Sequence, residues 1–576
     1  MNKQTIKDFN SVWERWYFLS IDRPNTDAII HWVAGEEPYR WTFSSLIERA
    51  NYYSKYLLKK GIKPGQVCAM IIRHNPEFYP LYLGIVGIGA LPTVLAYPNP
   101  RLHPDKFRQG LEGMSQRSGL DYLLTEKDLE PVIGALINSP NSTIKGLHFP
   151  FEENLIFSNS ELDSELAIIR TSMKRKDPIL LQHSSGTTGL QKPVILTHHD
   201  ILEHVVQYGE ALYLNDSDKF ISWTPLYHDM GLIGTFHMPL AYGIPTIQIN
   251  TFEWILAPVI LFEAASKEKA TITMQPNFAF NLLTNKVHDE DMECVDLSSL
   301  RLLINAAEPI RHDTMERFID RFKNFGLNEL APTTQYGMAE TTLALVQTPP
   351  GQKYKIMEVD RQKLADGVVE YANENTKVKR ICISSGILLD GCQMKIVDDS
   401  RIILPDDTLG EIAVKSISLF DGYRNYPEKT AQVMDKEGWY YTSDYGFIHD
   451  RELYVIGRKD DIIIVAGNNM YPEDVEDVIN KIDGVQKGRI IAFGEADEDL
   501  GTEVISVIVE TKLEDEKEKK ILINEIKKAG MSIDVTISNI YLVPPRWLIK
   551  SSAGKPSRKA NSERILEEKR NKKGDN

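Results

Sequence analysis

Short apolar runs alternate with amphipathic segments over most of this chain. Within the amphipathic segments at residues 44–60, 201–212 and 258–267, hydrophobic positions recur with helical spacing, and Pro258 is expected at the first helical position of the last one. The apolar runs are too short for helices and are predicted as strands: 67–73, 179–183, 194–197, 246–249 and 302–305. This alternation predicts an α/β fold in which helices cover the sheets.

The pattern changes at two places along the chain. Residues 347–380 are polar with little periodicity, which indicates a segment inserted into the larger fold. After residue 457 a small unit begins, with strands predicted at 461–466, 489–493 and 504–510 and helices at 472–482 and 514–529. We therefore expect a large N-terminal domain, residues 1–457, and a small, mobile α+β C-terminal domain, residues 458–576.

The most apolar stretch, residues 81–97, is interrupted by three glycines and a proline. It is too short to cross a bilayer comfortably, so it predicts a buried, glycine-rich helix followed by a strand. The chain is not expected to be an integral membrane protein.

Composition and charge narrow the class of protein further. The formal net charge is −15, which disfavours nucleic acid as a general partner because both surfaces would repel. Four cysteines without a CxxC pair argue against a disulfide framework and a structural zinc site. The first ten residues are polar and lack an apolar signal core, so a cytoplasmic location is expected.

A candidate phosphate-binding loop follows the strand at 179–183. Two glycines three residues apart allow a sharp turn that exposes backbone N–H groups, and hydroxyls and a lysine add further donors. The loop reads Ser184-Ser185-Gly186-Thr187-Thr188-Gly189-Leu190-Gln191-Lys192. Its spacing differs from that of P-loop NTPases, and a surface loop is the alternative. Its place between two apolar strands favours phosphate binding, and Thr197 with Asp200 predicts a capping box for the next helix.

This loop resembles the signature of the adenylate-forming enzymes, the superfamily of acyl-CoA synthetases, luciferases and peptide-synthetase adenylation domains. The signature of that superfamily is Thr-Ser-Gly-Ser/Thr-Thr-Gly-x-Pro-Lys-Gly. Here Ser184 replaces the first threonine, Gln191 replaces proline and Pro193 replaces glycine, whereas Lys192 is retained. Because Pro193 has no N–H and a fixed φ, the loop geometry can differ from that of the family.

Five further segments resemble family motifs, and they occur in the family's order. They are Trp223-Thr224-Pro225-Leu226-Tyr227-His228-Asp229-Met230-Gly231-Leu232, Asn305-Ala306-Ala307-Glu308-Pro309, Thr333-Thr334-Gln335-Tyr336-Gly337-Met338-Ala339-Glu340-Thr341-Thr342, Gly438-Trp439-Tyr440-Tyr441-Thr442-Ser443-Asp444 and Ser551-Ser552-Ala553-Gly554-Lys555. Each has a structural alternative when taken alone, such as a core histidine, a turn aspartate or a solvated lysine. Their order favours the enzyme.

The resemblance implies a role for each matching residue. Ser184, Ser185, Gly186, Thr187, Thr188 and Gly189 would bind the phosphates with Lys192. Asn305, Ala306 and Ala307 would lie against adenine, Tyr336 would stack on it beside Gly337 and Met338, and His228 would line the acyl and nucleotide sites.

The remaining roles concern the metal, the ribose and the moving domain. Glu340 would hold Mg²⁺, and Asp444 and Arg458 would bind the ribose. Asp460 would be the hinge, with Lys459 as the alternative. Lys555 would bridge the acyl carboxylate and the α-phosphate.

Within the superfamily, the motif wording and the segment 347–380 are most similar to fatty acyl-AMP ligases. The resemblance implies ATP- and Mg²⁺-dependent activation of a carboxylic acid, expected to be a fatty acid, as its acyl-adenylate. The acyl group would then pass to the phosphopantetheine of an acyl carrier protein. Two alternatives remain open: a synthetase that uses free CoA, and a nucleotide-binding scaffold without turnover, which Gln191 and Pro193 motivate.

Overall fold

The computed structural model describes residues 4–98, 103–153, 155–157, 160–184, 192–465, 468–497, 502–550 and 556–574. Its largest sheet has 14 strands. Thirteen lie side by side in this order: Cys392–Val397, Gly410–Ser416, Tyr440–His449, Glu452–Arg458, Lys379–Leu388, Val346–Gln347, Pro332–Tyr336, Leu302–Asn305, Ile272–Gln275, Phe220–Ser222, Thr246–Ile249, Asp27–Trp32 and Tyr39–Thr42. The last, Ile356–Asp360, pairs with Lys379–Leu388 beside this path. The predicted α/β class is confirmed.

Six neighbouring strands of this sheet, from Pro332–Tyr336 to Asp27–Trp32, are parallel. Each of these strands is almost wholly buried, including polar positions such as Thr246, Gln248 and Thr334, as expected for strands covered on both faces. The other pairings in the sheet are antiparallel. The carboxyl ends of the parallel strands consequently meet along one edge.

Four smaller sheets complete the strands of the described residues. A parallel sheet contains Leu91–Val94, Val67–Ile71, Tyr122–Thr125 and Gly146–His148. Pro178–Ser184 and Lys192–Thr197 form an antiparallel pair on either side of the candidate phosphate loop. Beyond residue 458 lie the pair Ile463–Val465 and Asn468–Met470 and the sheet of Val485–Asp497, Thr502–Thr511 and Ile537–Val543.

Helices cover these sheets. The α-helices are Gln4–Lys7, Val12–Asp22, Phe43–Lys59, Phe78–Gly87, Pro104–Ser118, Glu130–Ile133, Ser160–Ser172, His198–Ala211, Met238–Tyr242, Thr251–Leu256, Ile260–Glu268, Asn277–Lys286, His312–Phe322, Arg361–Ala365, Pro427–Val433, Pro472–Ile479, Glu516–Met531 and Arg558–Gly574. A π-helix, Met230–His237, precedes Met238–Tyr242. Among the described residues, no helix is long and apolar enough to cross a membrane.

The elements predicted in the first 310 residues are confirmed, with one correction. The capping box of Thr197 and Asp200 is present at the start of His198–Ala211. The third predicted helix, however, begins at Ile260, so Pro258 lies before the helix and not at its first position. The N–H of Ile260 donates to the carbonyl of Ala257 over 3.2 Å, so Pro258 lies in a turn that precedes the helix.

The glycine-rich stretch forms the predicted buried helix, Phe78–Gly87, and the strand Leu91–Val94. Every residue of this helix is buried. Its glycines permit close packing, because a Cβ at Gly84 would lie 2.8 Å from Cβ of Tyr53 and one at Gly87 would lie 2.8 Å from Trp13. This helix therefore belongs to the core of the large part.

The residues after 458 have an apolar core of their own. A buried cluster between Ile463 and Ile537 joins Val475 and Ile479 of the helix Pro472–Ile479 to the three-stranded sheet. The strands and helices predicted in this part are present, with the first sheet strand extended to Val485–Asp497. The expected boundary between residues 457 and 458 falls at the end of the strand Glu452–Arg458.

Candidate active site

The motif residues converge at the carboxyl edge of the parallel strands. Phe220–Ser222, Ile272–Gln275, Leu302–Asn305 and Pro332–Tyr336 are adjacent, and each ends in a segment that lines one cleft. Ligands of open α/β sheets bind at this edge because the loops that follow the strands gather there. The cleft has a volume of about 1150 Å³ and is also lined by residues of the C-terminal part.

Most predicted site residues within the described part of the chain line this cleft. They are Lys192, His228, Ala306, Ala307, Tyr336, Gly337, Met338, Glu340, Asp444, Arg458 and Asp460. Of Ser184 only the backbone is described, and it pairs with Lys192. Ser185, Gly186, Thr187, Thr188, Gly189 and Lys555 lie outside the described residues.

A lysine and a carboxylate meet around Tyr423 in this cleft. Glu340 is buried, and its Oε1 accepts a hydrogen bond of 2.6 Å from the Tyr423 hydroxyl. Lys192 Nζ lies 5.5 Å from the centre of the Tyr423 ring. Burial lowers the pKa of Lys192, and the nearby Glu340 charge opposes that shift. The cluster thus offers a cation and an anion to one ligand.

A second polar cluster joins two antiparallel strands to the end of a parallel one. Asp444 and Arg458 face each other in register, and Arg458 Nε donates to Oδ1 of Asp444 over 3.2 Å. The Tyr336 hydroxyl donates to Oδ2 of the same carboxylate over 2.7 Å. Burial and the charge of Asp444 raise the pKa of Tyr336, which therefore stays a neutral donor. An ionised carboxylate has about four lone-pair positions, so Asp444 can still accept from a ligand.

The turn after Tyr336 requires glycine. A Cβ at Gly337 would lie 1.8 Å from the carbonyl oxygen of Leu343, and the N–H of Leu345 donates back to the Tyr336 carbonyl over 2.9 Å. This close return of the backbone carries Met338 and Glu340 to the cleft wall.

Residues 305–311 form the loop expected against adenine, and the start of a neighbouring helix holds it at three points. Oδ1 of Asn277 accepts from Nδ2 of Asn305 over 3.1 Å and from the backbone N–H of Arg311 over 3.2 Å. Oε2 of Glu308 accepts from the N–H of Phe278 over 3.0 Å. Both ends and the middle of the loop are therefore fixed to the helix Asn277–Lys286.

Two residues of this loop differ in what they contribute. Ala307 lines the cleft with φ +68, a left-handed conformation that a non-glycine residue adopts only when its surroundings hold it there. Asn305 is fully buried, with its side chain against Asn277 and Met315, and does not line the cleft. Its place is behind the cleft wall.

His228 lies at the entrance of the π-helix Met230–His237. Its Nδ1 lies 2.6 Å from Oδ1 of Asp229, which also accepts the N–H of Met230 over 2.7 Å. The carbonyl of the preceding Tyr227 accepts from Nε2 of Gln182 over 3.0 Å, and Gln182 belongs to the strand that leads to the candidate phosphate loop. Single-turn π-helical insertions are frequent at functional sites.

The segment 347–380 contains a short strand, Ile356–Asp360, and a short helix, Arg361–Ala365. It also contacts the C-terminal part. Arg361 Nε donates to Oδ2 of Asp474 over 3.0 Å, and Arg380 Nη1 lies 2.8 Å from Oδ1 of the same carboxylate. Arg361 also donates to the carbonyl of Ile533 over 2.6 Å. Asp474 is thereby held from both of its oxygens.

The expected hinge, Asp460, lies in the turn Lys459–Asp461 that joins the two parts. Lys459 is tied to the large part, because its Nζ donates to Oδ1 of Asp399 over 2.6 Å. Asp461 is tied to the C-terminal part, where Oδ2 lies 3.6 Å from Nε of Arg558. Asp460 separates these two anchored neighbours.

Three residues that organise the cleft were given no role from the sequence: Tyr423, which bonds Glu340, and Asn277 and Glu308, which hold the loop 305–311. Glu308 belongs to a recognised motif, but its bond to Phe278 cannot be read from that motif. Asn277 belongs to the segment Pro276-Asn277-Phe278-Ala279, whose wording is similar to that of fatty acyl-AMP ligases, but its bonds to the loop 305–311 cannot be read from that segment. Tyr423 carries no pattern that was recognised in the sequence.

The comparisons with known proteins agree with this geometry. A family model described as AMP-binding enzyme matches residues 21–424. A long-chain-fatty-acid–AMP ligase of Mycobacterium tuberculosis is 29% identical over 559 residues, covering 91% of this chain and 92% of that protein. A 4-hydroxyphenylalkanoate adenylyltransferase of the same organism is 27% identical over 526 residues, covering 87% and 82%.

Solved structures are similar over nearly the whole chain. A fatty acyl-adenylate ligase from L. pneumophila in complex with acyl adenylate and pyrophosphate is 27% identical with a TM-score of 0.73, covering 98% of this chain and 97% of that chain. Another fatty acyl-adenylate ligase structure, at 23% identity, has a TM-score of 0.86 and shows the shared fold. The resemblance drawn from the motifs is confirmed. This chain belongs to the family of AMP-binding enzymes.

Proposed function

We propose that this chain activates a fatty acid with ATP, forming an acyl-adenylate and releasing pyrophosphate. The observation that carries the proposal is the meeting of Lys192 and Glu340 at Tyr423, in a cleft that also holds the Tyr336–Asp444–Arg458 cluster. One end of the cleft suits a triphosphate with its metal ion, and the other suits a ribose. Relatives named as a fatty-acid–AMP ligase and a fatty acyl-adenylate ligase support the same reaction.

The nucleotide would lie along the cleft wall. Adenine would lie against Ala306 and Ala307 on one side and Tyr336 on the other. The ribose hydroxyls would donate to Asp444, with Arg458 holding that carboxylate in place. Asn305 would support the wall from behind.

The phosphates would be held by Lys192 and by the loop of residues 184–189. Glu340 fits a Mg²⁺ ion, because a single carboxylate combined with phosphate oxygens and water is the usual way that proteins hold this ion with a nucleotide. Bound there, Mg²⁺ supplies positive charge to the leaving pyrophosphate. Tyr423 donates to Glu340 and so keeps one oxygen of that carboxylate oriented.

The reaction brings together two anions, the carboxylate of the acid and ATP, so alignment and charge neutralisation are the main tasks. The acid's own carboxylate attacks the α-phosphorus, and pyrophosphate leaves. Lys192 would neutralise the phosphates, Lys555 would stabilise charge at the α-phosphorus, and His228 would line the junction of the acyl and nucleotide sites. No protein nucleophile is required.

The acyl group would then pass to a thiol, which we propose is the phosphopantetheine of an acyl carrier protein in the cytoplasm. For this step residues 458–576 would rotate as a domain about Asp460 relative to residues 1–457. Arg361 and Arg380 of segment 347–380 contact Asp474 of the C-terminal part, which supports a role of this segment in setting how the two parts are arranged. Free CoA is the second candidate acceptor.

The test is a panel of carboxylic acids assayed for acid-dependent ATP–pyrophosphate exchange, followed by thioester formation with CoA and with a carrier protein. Fatty acids of several lengths and 4-hydroxyphenylalkanoates form the panel, because the relatives include an enzyme named for the latter. We expect exchange with fatty acids, its loss in Lys192→Ala and Glu340→Gln, and thioester on the carrier protein.

Nucleotide binding without exchange for any acid would support the scaffold alternative and contradict the proposal. Thioester formation with free CoA alone would leave the adenylation intact and correct the acceptor. Lys528→Ala is the matched control, because Lys528 is exposed on the helix Glu516–Met531, where its Nζ donates to the exposed Glu525.

A further inference from the structure

Thr342 lies two residues after Glu340 and has an unusual backbone conformation. Its φ is +66° and its ψ is −51°, close to a γ-turn geometry that is rare and strained. A β-branched residue is a genuine outlier at such a φ, because its Cβ crowds the backbone. The surroundings of Thr342 must therefore hold this conformation, and residues held in this way cluster at functional sites.

A hydrogen bond from its side chain joins Thr342 to a second segment of the chain, residues 416–423. Thr342 is fully buried, and its Oγ1 donates to the carbonyl of Ser418 over 2.6 Å. From the same segment, the N–H of Phe420 donates to the carbonyl of Glu340 over 2.9 Å. These two bonds fix the backbone between Glu340 and Thr342 to residues 416–423.

His204 joins the same two stretches of chain. Its Nε2 accepts from the N–H of Ala344 over 3.3 Å, and its Nδ1 lies 3.3 Å from Oγ of Ser418. Burial lowers the pKa of His204 to about 3, so the ring is neutral. Because Nε2 accepts, the single proton of the ring is on Nδ1 and is donated to Ser418. The residue that accepts from Thr342 is therefore itself held in place.

The side chain of Glu340 is oriented by residues 416–423 as well. Tyr423, the last residue of this segment, donates from its hydroxyl to Oε1 of Glu340 over 2.6 Å, and Glu340 lines the cleft. The backbone of Glu340 belongs to the turn that Thr342 fixes, whereas the donor to its carboxylate belongs to the other segment. The direction of the carboxylate therefore depends on how firmly the two segments are joined.

We infer that Thr342 is a positioning residue for the Mg²⁺ ion that accompanies the nucleotide, because its hydroxyl, bonded to Ser418, fixes the turn that presents the Glu340 carboxylate. The inference rests on the metal role proposed for Glu340 and deepens it. Thr342 would act only through Glu340. Replacing residues that orient a metal ligand from behind typically lowers metal affinity about 10–100-fold.

The test measures nucleotide binding with and without Mg²⁺, apart from turnover. The probe is an ATP analogue with a non-hydrolysable α–β bridge, titrated into the full chain by calorimetry. Thr342→Val keeps the shape of the side chain and removes the hydroxyl. Its Kd for the analogue should rise about tenfold with Mg²⁺ present and stay within about twofold of wild type without Mg²⁺. Thr342→Ser keeps the hydroxyl and should restore the affinity measured with Mg²⁺.

Thr125→Val is the matched control. The hydroxyl of the fully buried Thr125 donates to the carbonyl of Ile71 over 2.6 Å, in the small parallel sheet and away from the cleft lining. This variant loses the same kind of bond as Thr342→Val and should bind the analogue as wild type does under both conditions. If Thr342→Val does not fold, Thr342→Gly replaces it, because glycine adopts a positive φ without strain and also lacks the hydroxyl.

Four outcomes would overturn the inference. They are an unchanged Kd with Mg²⁺ in Thr342→Val, an equal rise of its Kd with and without Mg²⁺, a loss that Thr342→Ser does not reverse, and the same loss in Thr125→Val. Glu340→Gln separates this failure from that of the proposed function. If Mg²⁺ no longer strengthens binding in Glu340→Gln but acts normally in Thr342→Val, only the inference fails. If Mg²⁺ strengthens binding in Glu340→Gln as in wild type, the metal role of Glu340 fails and the inference fails with it.

Discussion

Residues 305–311 follow a central parallel strand of the largest sheet, whereas residues 549–557 belong to the small C-terminal part. Residues 306–311 of the first stretch and Lys550, Pro556 and Ser557 of the second line the same cleft. An asparagine carboxamide bonds residues at both ends of each stretch. Asn277 bonds Asn305 and Arg311, and Asn561 bonds Ile549 and Ser557. Both stretches are thus held by an asparagine side chain, but the two asparagines belong to different parts of the molecule.

The support of the first loop is the helix Asn277–Lys286, which follows the strand Ile272–Gln275. That strand pairs with Leu302–Asn305, which pairs with Pro332–Tyr336, so the support belongs to the same sheet as the strand that leads to Glu340. The support of the second is the helix Arg558–Gly574, which packs on the C-terminal sheet. A loop held by the large sheet suits nucleotide binding. A segment held by the C-terminal part suits adenylate formation, because that part is proposed to rotate before the acyl transfer. We therefore expect Asn277 to affect nucleotide affinity, and the C-terminal part, through Lys555, to affect the chemical step.

The largest effect is expected at Lys555. A lysine placed on developing charge is commonly worth about 3–4 kcal/mol of barrier, so Lys555→Ala should lower ATP–pyrophosphate exchange by about 10²–10³-fold. ATP affinity, measured by calorimetry, should change little because the adenine and ribose contacts remain. Exchange that survives this substitution would remove the distinction between the two loops, and a large fall in ATP affinity would place Lys555 in binding instead.

Substitution of Asn277 is expected to have a smaller effect, and one on ATP affinity instead of on the chemical step. Asn277→Ala leaves the Arg311 N–H and the Asn305 amide without their shared acceptor, which costs about 1–3 kcal/mol. We expect the Kd for ATP to rise about tenfold, with weaker discrimination against GTP, while discharge of supplied acyl-adenylate is preserved.

Asn277→Asp is the matched variant for that experiment. It keeps an acceptor oxygen, and a carboxylate near the first turn of a helix is favoured by the exposed N–H groups. Its ATP affinity should lie close to wild type. Equal losses in the two variants would show that packing, and not the shared acceptor, holds the loop.

The same contrast explains what the sequence could predict. Strands such as Thr246–Ile249 and Leu302–Asn305 were predicted to the residue, because each is a short run rich in β-branched and aliphatic residues. Motif residues such as Glu340 and Asp444 could be named because their segments resemble known motifs. The roles assigned to them stay predictions.

The partners of those residues could not be predicted. Tyr423 reaches Glu340 from a segment without a motif, and Asn277 reaches Arg311 because two strands are neighbours in the sheet. Neither relation leaves a periodic trace along the chain. The start of the helix Ile260–Glu268 was misplaced for a related reason, since a local turn and not proline preference decided it.

Lowering the pH should affect the stability of the two parts differently. All 13 histidines precede residue 458, and burial lowers the pKa of several, including His183 to about 4 and His204 to about 3. Such a group favours folding above its unfolded pKa near 6.5, and that contribution is lost as the pH falls toward the folded value. The large part should lose stability between pH 7 and 5, and the C-terminal part should not lose stability from histidine.

His183 isolates this effect, because its two ring nitrogens lie 2.9 Å from the Thr93 hydroxyl and 2.8 Å from the Ser118 hydroxyl. One such histidine contributes about 2 kcal/mol to the difference between pH 7 and pH 5. His183→Gln should lower stability at pH 7 but reduce the pH dependence by that amount, as urea unfolding at both values would show. An unchanged slope would assign the acid sensitivity to other groups.

The smallest effect is expected where the two parts touch. Asp474 is held by Arg361 and Arg380, and these ion pairs favour the arrangement in which Lys550, Pro556 and Ser557 of the C-terminal part line the cleft. Asp474→Asn should weaken that arrangement by about 1 kcal/mol, which shifts the population by about fivefold toward the arrangement used for transfer. Thioester formation from supplied acyl-adenylate should rise by up to that factor, while exchange falls less, because the arrangement that Asp474 favours still dominates.

Glu525→Gln, which removes an exposed ion pair on the same part, is the control and should change neither rate. Exchange and transfer that fall together would mean that the carboxylate supports the fold of the C-terminal part and does not set its position.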